Sequence, residues 1–204
     1  MRFTNFAVAA LSLGSAVAVP TASQPHARQL QLLGTVSATV GTVKNTVDGE
    51  LALIADLLVD VRANVTLVPQ LEQALLTIAG DLTGIVGAVL PLVTEGVPNL
   101  VEEELKSIPE VLRGVLAIAN GIESTAQQIV NSVGRDVLQA VKPELQLVLA
   151  TIEPIAKPIV TFALGAVGTT VGPVAQEVTG LVGDVQKIVG GILAPVGGIL
   201  RAIL

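Results

Sequence analysis

His26 is the sole histidine of the chain and cysteine is absent, so the residues best suited to chemistry near neutral pH reduce to one imidazole. Nucleophilic catalysis of the Ser-His-Asp kind needs that imidazole held between a hydroxyl and a carboxylate. His26 instead lies in the polar stretch TASQPHAR, outside any periodic pattern. No HExxH, P-loop or GxSxG pattern occurs. The carboxylates offer little more. Asp48, Glu50, Asp56 and Asp60 lack the ligand spacing and turn glycine of a calcium loop, and their helical spacing reads as a solvated face. Glu102, Glu103 and Glu104 suit a helix start, where the dipole favours negative charge. A carboxylate pair for glycoside hydrolysis is conceivable in any acidic chain, but sugar sites draw on aromatic platforms, and the aromatics are Phe3, Phe6 and Phe162 alone. The chain is therefore not expected to be an enzyme, and no catalytic residue, metal or cofactor is assigned. The one modification signal is the sequon Asn64-Val65-Thr66, which makes Asn64 the candidate glycosylation site.

What remains is apolar surface. Half of the 204 residues are hydrophobic, and with no Trp or Tyr that content is Val, Leu, Ile and Ala. The mean hydropathy is +0.74. The net charge is −6 with no basic stripe, so nucleic acid is not an expected partner. The opening MRFTNFAVAALSLGSAVAVP has a basic residue, an apolar run and the small-x-small site Ala16-Val17-Ala18. It predicts a secretory signal peptide over 1–18. Residues 19–28 then form a flexible lead or a short pro-segment, and 29–204 a single helical domain. The last part carries 9 basic and 17 acidic side chains, a net charge of −8. A secreted, extracellular or cell-wall location follows.

The elements are set by periodicity. Leu33, Val40, Val47, Ile54, Val61 and Val68 recur every seven residues. Val36 and Val43, then Leu51, Leu58 and Val65, fill between them, a drift that a straight helix of 3.6 residues per turn requires. Alternation with period two is not sustained. This predicts a long helix over about 30–67. A second stripe, Leu71, Leu75, Ile78, Leu82, Ile85 and Val89, ends at Pro91. After a short acidic helix, Ser107-Ile108-Pro109-Glu110 fits a capping box. It opens a second long helix over 108–141, marked by Ile108, Val115, Ile122 and Ile129 with Val111, Ile118, Val133 and Val137 beside them. Pro143 starts the next segment, Pro154 and Pro158 predict kinks or breaks, and Pro173 opens the last. The expected fold is an all-α antiparallel bundle of five or six amphipathic helices, two of them long.

The C-terminal segment 158–204 is rich in glycine and nearly free of charge: Glu177, Asp184, Lys187 and Arg201 are its ionisable groups. Lys157 and Glu177 bracket 19 uncharged residues, close to the roughly 20 that a span needs, but glycines and Pro173 break the run. Neither a span nor a GPI-type anchor is the expectation. On a helix, Leu181, Val185, Ile188, Ile192, Ile199 and Ile203 share one apolar face. Gly183, Gly190 and Gly197 recur along its edge, where small residues suit close helix contact. Those six aliphatics are the candidate apolar-surface-binding residues.

The leader, the lack of cysteine and a first helix reading LLGTVSATVGTVKNTVDGELALIADLL resemble the fungal hydrophobic surface-binding proteins and related cell-wall galactomannoproteins over about residues 30–140. The resemblance implies a helical secreted fungal protein that adsorbs to apolar surfaces or binds lipids. It supplies no motif from which a functional residue carries over. The expected partner is a lipid or other apolar surface, with self-association as a further outcome. Two rivals stand beside this reading. One is a structural or effector-like interaction protein with the C-terminal segment buried in the bundle; the other is a membrane-active, self-assembling protein.

Overall fold

The computed structural model describes residues 25–61, 65–94, 105–168 and 170–192, and every element in it is helical. The order is α1 (Pro25–Val61), a 3₁₀ turn (Val65–Leu67), α2 (Val68–Thr94), α3 (Ser107–Ser132), α4 (Arg135–Val167) and α5 (Pro173–Ile192). The expected all-α bundle of five or six helices is present. The two longest members are α1, with 37 residues, and α4, with 33; the helix expected over 30–67 ends at Val61, and the second long helix expected over 108–141 is the 26-residue α3 instead. The expected leader over 1–18, the acidic helix at Glu102–Glu104 and the residues after Ile192 lie outside the described residues.

Periodicity chose the buried face well. Leu33, Val36, Val40, Val43, Val47, Ile54 and Leu58 of α1 are buried, as is every member of the Leu71-to-Val89 stripe of α2; Leu51 and Val68 are half-buried, and the side chains of Val61 and Val65 lie outside the described residues. Ile108, Val111, Val115, Ile118, Ile122 and Ile129 do the same on α3. The core is aliphatic, with Phe162 as its one buried aromatic among the described residues. Two crevices at its centre hold about 10 Å³ each, no more than one water needs.

Boundaries depart from expectation where glycine and proline decide them. The helix expected over 108–141 ends at Ser132, because the chain turns at Val133 and Gly134, both extended. Gly134 accepts the first hydrogen bond of α4, Leu138 N to Gly134 O at 2.9 Å. Val137 keeps the phase of the α3 stripe yet belongs to α4, so periodicity passed over the break. At the cap of α3 the helix begins at Ser107 itself, with Lys106 in the cap position, one residue earlier than a Ser107 capping box requires. Pro109 then falls in the first turn, where a missing N–H costs little. The end of α4 needs glycine: Gly168 has φ +47°, a region strained for L side chains, and its N–H reaches Leu164 O at 3.1 Å. Gly172 accepts from Gln176 at 3.1 Å and Pro173 follows at the first helical position of α5.

The prolines do not break their helices. Pro91 lies inside α2, and Pro143, Pro154 and Pro158 all lie inside α4. Each removes the donor to the carbonyl four residues back. Those residues, Gly87, Gln139, Ala150 and Pro154, are exposed, so water can serve the freed carbonyls. Pro158→Ala restores one donor, facing Pro154 O. It is expected to stabilise the fold by about 1–2 kcal/mol after allowance for the looser unfolded chain. Thermal unfolding followed by circular dichroism would show a Tm increase of roughly 2–8 °C.

Packing register gives the topology. One central crevice is lined by Leu75, Ile78, Ile122, Ile129, Leu145 and Val148, the other by Leu82, Ile85, Val115, Ile118, Ile152 and Ile155. Seven residues along α2 match seven along α4 in the same sense, so these helices run parallel, while α3 runs against both. Gly114 lies against Val40 and Gly121 against Leu51, which makes α1 and α3 parallel too. Consecutive helices thus alternate in direction. α1 packs on α2 and α3, and α2 packs on α4. α5 packs on α3 and α4, over the seam between them.

Candidate apolar-surface site

α5 carries most of the expected binding residues, and the fold treats them unequally. Val185 is 1 % exposed and sits in the core line Ala175, Val178, Val182 and Val185 against the α3/α4 seam. Leu181 and Ile188 flank that line, half-buried and packed against the core. Ile192 ends α5. Its side chain, together with Ile199, Ile203 and Asn64, lies outside the described residues. Of the three described candidates Val185 is therefore turned inward and Leu181 and Ile188 partly so, and Val185 meets an outside phase only when α5 leaves the seam.

The glycines of α5 do not act as close-contact residues in the folded chain. A Cβ at Gly180, Gly183, Gly190 or Gly191 would meet nothing within 4 Å. The glycines that permit close approach are Gly114 and Gly121 of α3. There a Cβ would stand 2.6 Å from Val40 Cγ1 and 2.7 Å from Leu51 Cδ1 respectively. Both spacings are seven residues; what separates the two pairs is whether a neighbouring helix stands opposite, which a single stripe does not reveal.

Polar anchoring of α5 is slight. Arg113 Nη2 of α3 pairs with Glu177 Oε1 of α5, both partly exposed, and such surface pairs are worth about 0–1 kcal/mol. Lys187 and Asp184 pair within α5 itself at 3.8 Å. A groove of about 340 Å³ runs between α4 and α5, lined by Glu153, Lys157, Val160, Leu164, Val185 and Val189.

A second apolar region was not singled out by the stripes. α2 and α4 are the two described helices long and apolar enough to cross a membrane, yet only 39 % of the most apolar part of α2 is buried. The helical wheel leaves Leu76, Gly80, Thr83, Gly84, Gly87 and Leu90 exposed on one side of α2. Counting buried apolar positions finds the inner face. Only the missing charge on the opposite face marks this one.

Among the described residues no three His, Asp or Glu side chains are placed to hold a metal ion. Asp48 is engaged by Lys44 on α1. Searches of family models and of curated proteins find no match to this chain.

Proposed function

We propose that this is a secreted, non-catalytic protein that binds apolar surfaces or lipids by exchanging the internal contacts of its amphipathic helices, α5 first, for contacts with an apolar phase. The observation that carries this reading is the weak hold on α5. Three buried valines, Val178, Val182 and Val185, contribute about 5 kcal/mol at the low end of the burial scale. Four glycines with open space around them take back about 4 kcal/mol of helix propensity relative to alanine. Buried Ala175 and the half-covered Val174, Leu181, Ile188 and Val189 add a remainder that an outside apolar surface would match. The leader pattern at 1–18 and the resemblance to fungal surface-binding proteins support secretion and the same class of partner.

The near-complete burial of Val185 favours a second reading, an interaction protein in which α5 stays in place. One experiment separates them. The chain has no cysteine, so Arg113→Cys with Glu177→Cys creates a unique pair between α3 and α5 that a flexible bismaleimide can join. The joined protein is expected to lose at least tenfold in adsorption to phosphatidylcholine vesicles, while the unjoined double variant adsorbs like the parent. Equal adsorption of joined and unjoined forms would rule out exchange through α5.

A further inference from the structure

The geometry points to a second, preformed docking face for a neutral lipid surface, on the outer side of the parallel pair α2 and α4. This inference rests on the reading that the chain meets an apolar phase, but it needs no opening of α5. On α2 the exposed sector from Gln73 to Pro91 contains Leu76, Thr77, Gly80, Thr83, Gly87 and Leu90 and no charged side chain. Asp81 points to the edge of the sector, about 100° from its centre at the helical pitch. The sector continues onto α4. Leu90 shares a groove of about 460 Å³ with Ala150, Pro154, Pro158 and Thr161, and Leu147 is exposed one turn before. Glu153 and Lys157 line the same groove and bound the face on the side of α5.

The hydroxyls on this face are already satisfied. Thr77 donates to Gln73 O at 3.0 Å and Thr83 to Ala79 O at 2.8 Å. On α4, Thr151 donates to Leu147 O at 2.6 Å and Thr161 to Lys157 O at 2.8 Å. Each threonine therefore turns its polar hydrogen back to its own helix, and removing water from the face strands no hydroxyl donor. That leaves few groups to recognise a partner protein, and none of the aromatic or Arg anchors on which protein interfaces rely. Two or three leucines among glycines also make a poor dimer interface, since a stable one buries about 800 Å² per partner with a packed centre. Charge sets the kind of lipid. Between Gln73 and Pro91 the face carries no charge on α2, Glu72 marks its end one turn before Leu76, and the chain carries −6, so a zwitterionic or neutral surface is favoured and an anionic one repels the molecule as a whole. The carbonyls of Gly87, Ala150 and Pro154, freed by Pro91, Pro154 and Pro158, keep the face at headgroup depth, because full burial in hydrocarbon would take them from the water that serves them.

The open space around Gly80 and Gly87 makes a clean test, since new side chains there meet nothing within 4 Å. Gly80→Glu with Gly87→Glu places two charges in the centre of the face without crowding, and Gly80→Ala with Gly87→Ala adds bulk alone. Asn45→Glu with Gly49→Glu adds the same charge to the exposed side of α1. In flotation with phosphatidylcholine vesicles the α2 glutamate pair is expected to lose at least tenfold in partitioning, while the alanine pair and the α1 pair stay within twofold of the parent. Flotation of the α2 glutamate pair at the parent's level overturns the docking face and leaves exchange through α5 standing. An equal loss in the α1 pair overturns it as well, by showing a general effect of charge. A parent that fails to float overturns both this inference and the apolar-binding reading. A parent that sediments as a dimer which the α2 glutamate pair dissociates makes the occupant a second copy, and the lipid assignment falls.

Discussion

Val182→Asp is expected to release α5 from the bundle while α1 to α4 stay assembled. Val182 is 3 % exposed on the α3/α4 seam, and a lone carboxylate taken out of water there costs several kcal/mol. That is comparable to the hold left to α5 by its buried valines and the half-covered Leu181 and Ile188 once its four glycines are counted. The contacts of α1 with α2 and α3, and of α2 with α4, do not involve α5, so the four-helix part keeps its own core. Hydrogen exchange is the measurement that checks this. Amides of 176–192 are expected to lose protection by at least a hundredfold and those of α1 to α4 to change little. Adsorption to phosphatidylcholine vesicles is expected to rise several-fold, because the step that uncovers the apolar faces has already occurred. Global unfolding, or release of α5 without a gain in adsorption, would count against an exchange mechanism.

Gly114→Val tests the other glycine-dependent contact. The added side chain enters a space where even its Cβ stands 2.6 Å from Val40 Cγ1. Val40 is 1 % exposed and β-branched, so its single favoured rotamer cannot swing aside. α1 and α3 must part, and overpacking of this kind costs about 1–3 kcal/mol. We expect the upper end, about 3 kcal/mol, read as a lowered midpoint in urea with an unchanged slope. Gly121→Ala is the contrast. Its close neighbour is the tip of Leu51, a flexible and half-buried side chain that can rotate away. The gain in helix propensity then offsets the strain, and the midpoint is expected to stay within about 0.5 kcal/mol of the parent. Equal effects at the two positions would mean that the close approach of α1 and α3 is not held by glycine.

How far the residues foretold this arrangement depends on what each signal encodes. Leu33 through Val47, Ile54, and Leu71 through Val89 reported their burial directly, because a helix must repeat its inner face every 3.6 residues. Val137 shows the limit: it stays in phase across a two-residue turn, so the stripe of α3 read straight through Gly134. Pro154 and Pro158 signalled kinks or breaks; no break occurs, since the carbonyls they free, of Ala150 and Pro154, belong to exposed residues of α4. Glycine was legible as a spacing but not as a contact, since Gly114 and Gly183 differ only in what stands opposite. The candidate site was half legible for the same reason. The apolar face of α5 was found, but Val185 lies against the core because α3 and α4 leave a seam for it, and no local pattern encodes that seam. The outer side of α2 went unread because it is defined by absent charge.

The position of α5 at the end of the described chain has a consequence for biosynthesis. Ribosomes deliver α1 to α4 first, and domains begin to assemble as their segments emerge. The α3/α4 seam therefore emerges ahead of its cover. α5 is thus the last of the described helices to leave the ribosome, and the furrow between α3 and α4 is the last part of the described core to gain its cover.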